Sequence, residues 1–345
     1  MRSKSIKSIW ALYVGAALVL VAGLLIATEL SAQSADVYQS ERFELGDGVD
    51  PFVPGTADVS GAESQPGFDW DDLFRAGGGW KDVYNEFGLE KSNGVPDFLD
   101  IGGVRRGRSD AGFIADDISV GTNLDSSIFV NSGVVGPGTV TANYDLGNVY
   151  SYTVFDKLDL LLYTGLERLA GGTGSTIFEF TRNLFSIDAD GAIVGDKSAG
   201  DLQVRADYTA GALTAVIVGK RVENPEQPGV FEWTVVESLP ISQQNPVEQC
   251  NDAGSICVVC NAGSVAGGAW ENYDATGAVV ANLTSDTFME IGINLSSLLG
   301  VHTYDNFYST RYAGIQITTF DDAASPNPKD YALGSFVRAS KLAGR

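Results

Sequence analysis

The sequence predicts an all-β protein: an antiparallel β-sandwich with long acidic, glycine-rich loops and one or two short helices. Three observations carry that reading. Short runs rich in β-branched and aromatic residues recur along the chain, among them "NVYSYTVF", "DLQVRADYT", "FEWTVVESL" and "AGIQITTF". Turn-forming residues separate these runs, and the 41 glycines suit many short strands joined by tight turns. Helical periodicity is confined to "DWDDLFRA" and "NLSSLLGVHTYDNFYSTRY", the latter with Asn294 at an N-cap position.

Residues 1–35 stand apart. Arg2, Lys4 and Lys7 precede the apolar run "WALYVGAALVLVAGLLIA", and "TELSAQSA" supplies small residues at its exit. That order describes a secretory signal peptide, with cleavage near Ala32 to Ala35. The run is also long enough to remain as an uncleaved membrane anchor. Residues 36–345 are read as one domain, because no repeat of solenoid length and no basic or proline-rich linker divides them.

After a first strand, "ERFELGDG", residues 46–125 are rich in glycine and acid and poor in apolar runs. They are expected to form a loop-rich insert on the surface. From Ser127 the strand-like runs follow one another. "LQVRADY" alternates, so Leu202, Val204 and Ala206 share a face, whereas "AVIV" is apolar on both sides, as an inner strand is. "LYTGLERLAGGTGSTIFEF" reads as a hairpin about a glycine-rich turn; if Leu166 faces Phe180, Glu167 stands opposite Glu179, and a slip of one residue puts them on opposite faces.

Cys250, Cys257 and Cys260 cluster in "QCNDAGSICVVC". In an exported chain this spacing predicts one disulfide and one spare thiol, Cys250 pairing with Cys257 or with Cys260. A redox Cys-x-x-Cys lacks its surrounding βαβ pattern here, and a zinc site lacks its fourth ligand.

Charge excludes further classes. The chain has 22 Lys+Arg against 44 Asp+Glu, and the leader removes Arg2, Lys4, Lys7 and only one acid, Glu29. Such a surface repels nucleic acid and anionic lipid, so neither is an expected partner; membrane contact is expected only through the leader. The lone histidine, His302, rules out multi-histidine zinc chemistry. No Gly-x-Ser-x-Gly elbow, phosphate loop or dinucleotide fingerprint is present.

The residues left as site candidates are few. Glu167 and Glu179, joined by Glu290, are the carboxylates a glycosidase-like mechanism would use if they shared a face. Asp188, Asp190 and Asp196 in "DADGAIVGD" begin like a calcium loop but lack its later ligands, and Asp-x-Asp-Gly is equally a tight turn. "FDWDD", with Asp69, Asp71 and Asp72, and the pair Asp116 and Asp117 are comparable acid clusters. No cofactor other than calcium is suggested. Trp70 and Trp80, in the loop-rich insert, are candidate platforms for sugar rings, whereas Trp233 in "FEWTVV" reads as a core anchor.

The order "ERFELGDG", "GFDWDDL", "LDLLLYTGLERLAGGTGSTIFEF", "GDLQVRADY", "FMEIGINLSSLL", "YSTRYA" and "KDYALGSF" resembles a group of functionally uncharacterised, large secreted bacterial surface proteins. The resemblance implies a concanavalin-like or jelly-roll sandwich and a place outside the cell, and it brings no catalytic residues. The expected function is therefore a non-enzymatic module at the cell surface or in the extracellular matrix, for adhesion or glycan binding. Its partners would be extracellular glycans or other surface proteins. A glycoside hydrolase or polysaccharide lyase using Glu167 and Glu179 is the alternative. A structural subunit that self-assembles through strand edges is the third.

Overall fold

A computed structural model describes residues 70, 109–115, 122–124, 135–137, 141–156, 159–187, 193–241, 249–261, 263–267, 272–276, 278–300, 312–321, 328–335 and 337–338. In chain order the main strands are β1 (Ser109–Ala115), β2 (Leu146–Asp156), β3 (Asp159–Arg168), β4 (Gly174–Thr181), β5 (Leu202–Thr209), β6 (Ala212–Glu223) and β7 (Phe231–Pro240). They continue as β8 (Gln249–Cys250), β9 (Ile256–Cys260), β10 (Phe288–Asn294), β11 (Gly314–Phe320), β12 (Pro328–Ser335) and β13 (Val337–Arg338). The larger sheet has seven strands in the order β8-β9-β10-β3-β2-β1-β13, and the smaller has six, β7-β6-β5-β4-β11-β12. Every pairing is antiparallel, and neither sheet closes into a barrel.

One apolar core lies between the sheets. Val149, Leu162, Leu166, Met289, Ile291 and Ile293 come from the larger sheet; Phe178, Phe180, Val204, Val216 and Ile317 face them from the smaller. The alternation of these strands dictates the arrangement, since residues two apart share a face; a small second cluster of Phe185, Tyr331 and Leu333 covers the outer side of the smaller sheet at β12. Phe178 and Phe180 stack at 6.4 Å between centroids, and each buried ring contributes about 2–3 kcal/mol.

The expected hairpin from Leu162 to Phe180 does not form. β3 pairs with β2 and β10, whereas β4 pairs with β5 and β11 in the other sheet. The glycine-rich link thus crosses between layers instead of turning within one. The Leu169 and Ala170 N–H groups donate to the carbonyls of Asp145 and Ala142, and the Gly211 N–H donates to Gly172. A Cβ at Gly171 would lie 3.3 Å from the Gly211 Cα, so glycine lets the crossing press against the β5–β6 turn.

One further expectation changes. The insert 46–125 is not all surface loop, because Ser109–Ala115 forms β1, matched to β2 from Ser109↔Val154 to Ala115↔Asn148. The short helix expected after Asn294 is present: α1 spans Leu295–Leu299. Asn294 does cap it, accepting from the Ser297 N–H, and Gly300 at φ 67° ends it in the left-handed conformation. No described helix is long and apolar enough to cross a membrane.

Candidate functional site

Two surfaces matter, one on the outside of each sheet. On the larger sheet, β3 is buried along its whole length, so its outer face is covered as well as its inner one. Tyr150, Leu161, Tyr163, Glu167, Phe288 and Glu290 form that outer layer, each at most 2% exposed. Trp70, fully buried, lies on it. Its indole N–H donates to Glu290 Oε1, and its ring stacks on Tyr150 at 5.4 Å. Tyr150 donates its hydroxyl to Glu167 Oε1, and Asn148 Nδ2 donates to Glu167 Oε2 at 2.8 Å.

Glycine makes this socket. Tyr150 and Glu290 flank Gly165 from the two neighbouring strands. A Cβ at Gly165 would stand 3.0 Å from Tyr150 Cδ2 and 3.1 Å from Trp70 Nε1, so the indole fits only over a bare backbone. Gly147, beside a register shift in β2, likewise clears Glu167, whose Cβ would be 3.0 Å from an added one. Buried carboxylates are tolerable only with donors aimed at them, and here indole, phenol and amide supply some of those donors.

Glu167 sits opposite Phe288, and Glu290 opposite Gly165. The two acids are therefore diagonal neighbours on one face, with Cβ atoms roughly 7 Å apart. Glu179 is elsewhere. Its strand belongs to the smaller sheet, and its carboxylate pairs with Lys197 Nζ and accepts from Gln203 Nε2 at 3.4 Å. The predicted pair Glu167 and Glu179 thus lies on opposite outer faces of the sandwich, too far apart to act together. Trp70 is no open sugar platform, since it is fully buried with its ring stacked on Tyr150. Trp80 falls outside the described residues.

The outer face of the smaller sheet is covered over β11 and β12, where Phe185 packs with Tyr331 and Leu333 and Gln316 is buried, and opens toward β5, β6 and β7. Across its strands run Gln316, Glu179 and Gln203, with Gly219 and Val235 continuing the row to the edge. The next row carries Arg221 opposite Trp233. The Arg221 guanidinium lies 5.7 Å from the ring centroids of both Trp233 and Phe231, a cation–π arrangement. Trp233 is half-buried, and its Cε3 would be 3.9 Å from a Cβ on Gly219, so the indole leans across β6. Arg205 donates to Asp207 at 3.0 Å, and Ser175 to the same carboxylate at 2.7 Å. Asp201, at the start of β5, accepts from the N–H groups of Arg182 and Ser198, yet burial still raises its pKa. Chemically, this face offers a flat apolar ring beside planar donors and acceptors.

Of the calcium candidates, Asp188 and Asp190 lie outside the described residues, as do Asp69, Asp71, Asp72, Asp116 and Asp117. Asp196 is exposed, its carbonyl accepting from Asn183 Nδ2. No group of three or more metal-ligating side chains occurs among the described residues. The cysteine pairing is resolved as Cys250–Cys257, directly opposed on β8 and β9. Cys260 is the free thiol. It lines a cleft at one end of the core with Arg168, Tyr208, Asp286 and Met289. Burial pushes its pKa up to about 12, against the opposing pull of the Arg168 charge.

Neither a protein-family model nor a curated protein matches this chain. Sequence reasoning missed Trp233 as a surface residue. The only signal was the alternation in "FEWTVV", which groups Phe231, Trp233 and Val235 on one side without saying which side faces out.

Proposed function

We propose that this chain is an exported, non-catalytic β-sandwich that binds glycans at a cell surface or in an extracellular matrix. One observation carries the reading: the half-buried Trp233 leans across the smaller sheet beside Arg221, one row from Gln203 and Glu179. An indole face suits the C–H face of a sugar ring, and planar amide, carboxylate and guanidinium groups suit its hydroxyls. The signal-like leader and the Cys250–Cys257 bridge accord with an oxidising compartment. The acids that do share a face, Glu167 and Glu290, are enclosed under Trp70, which favours binding over turnover.

The test is a glycan-array screen run beside polysaccharide-degradation assays on the purified chain and its Trp233→Ala variant. The expected result is glycan binding weakened at least about tenfold by the substitution, with no depolymerisation. Depolymerisation abolished by Glu167→Gln or Glu290→Gln would replace this reading with the hydrolase or lyase. Neither binding nor turnover would favour a purely structural subunit.

A further inference from the structure

A strand at the edge of a sheet offers unpaired N–H and C=O groups to any strand that can lie beside it. The two main sheets have four edges, and three are blunted. β8 and β13 are two residues each, and the short strand Thr122–Leu124 lies against β12. β7 differs: it is ten residues long and, among the described residues, pairs on one side only, with β6. It also carries Val235, which at 64% exposure is the most open large apolar side chain described.

We propose that β7 pairs antiparallel with β7 of a second copy of this chain, about a two-fold axis at Thr234, so that two smaller sheets become one. The strand contains both halves of its own interface. With the axis at Thr234, Trp233 of each copy stands opposite Val235 of the other on the same outer face, giving two aromatic–β-branched cross-strand pairs. The exposed valine is then covered twice. Thr234 meets its own counterpart and Glu232 meets Val236, so no like charges oppose one another within the regular ladder.

Registers with a larger sum of paired positions are worse. Moving the sum of paired positions up by one sets Glu232 against Glu237 twice, which is repulsive. Moving it up by two sets Trp233 against Glu237 and leaves Val235 facing only itself. The register shift between β6 and β7 near Val235 and Glu237 keeps the regular ladder short. A modest, concentration-dependent dimer follows. The acidic balance of the chain, net charge −22, opposes the approach of two copies, so added salt should strengthen it.

Sedimentation velocity of the purified chain across a concentration series, at low and physiological salt, tests this directly. The expected result is a monomer–dimer equilibrium that tightens with salt. Val235→Lys should weaken it at least about tenfold, with the thermal midpoint unchanged at concentrations where the chain is monomeric, because the side chain faces solvent there. Thr234→Cys should give a disulfide-linked dimer on mild oxidation, since the two positions meet at the axis. A chain that stays monomeric at every concentration overturns the proposal. So does a dimer that is untouched by Val235→Lys and fails to cross-link through Thr234→Cys.

Discussion

Cys257 and Cys260 lie on the same strand and point to opposite faces of it. Cys257 faces outward and bonds to Cys250 directly across the ladder, whereas Cys260 follows Ile256 and Val258 toward the core. Their odd separation makes this unavoidable in a strand, where side chains alternate. Alkylation under native conditions should therefore label no cysteine rapidly, and denaturation without reductant should expose Cys260 alone. Replacing Cys250 and Cys257 by serine should lower stability by about 2 kcal/mol, measured by urea unfolding, because the bridge closes a short loop.

The socket around Trp70 gives a second expectation. Gly165→Ala places a methyl group against both the Tyr150 ring and the indole, and one of them must move. A loss of about 1–3 kcal/mol is expected, together with red-shifted tryptophan emission as Trp70 meets water. An unchanged spectrum and midpoint would contradict the packing described above.

A stabilising substitution should also exist. The two-residue turn between β5 and β6 holds Ala210 at φ 51° and Gly211 at φ 93°, the left-handed geometry of a type I′ turn. Alanine is strained there, and its N–H donates to Thr173 Oγ1, a bond that does not need the side chain. Ala210→Gly should raise stability by up to about 1 kcal/mol in thermal or chemical unfolding.

Stability should depend on pH through Asp145. Burial, reinforced by the negative charge of Asp330, raises its pKa from 3.8 to about 7. The folded state therefore holds a proton that the unfolded chain releases. The stabilisation is full below about pH 4 and disappears as pH rises through about 7. Urea midpoints measured on either side of neutrality should fall at the alkaline end for the natural chain. Asp145→Asn should remove most of that slope.

Much of the sandwich was legible. "DLQVRADYT", "ALTAVIVGKRV" and "FMEIGINL" became β5, β6 and β10 because their composition and alternation suit a sheet in almost any surroundings. β1 was hidden because "SDAGFIA" is short and sits among glycines and acids; only pairing with β2 recruits it. The site was less legible than the fold. Glu167 and Glu290 are far apart in sequence, and nothing local says that β3 and β10 are neighbours.

The sequence by itself determined the strand content, the turns, the Asn294 cap and the presence of a cysteine cluster able to form one bridge, since each depends on the chemistry of a few adjacent residues. The tertiary structure decided that the chain crosses between sheets after Arg168, that Cys250 chooses Cys257, that Trp70 is buried and that Trp233 is not. The physical reason is the two-residue period of a strand. It sorts side chains into two sets, but only the identity of the neighbouring strands and the layer packed on each face tells which set is core, which is socket and which meets solvent.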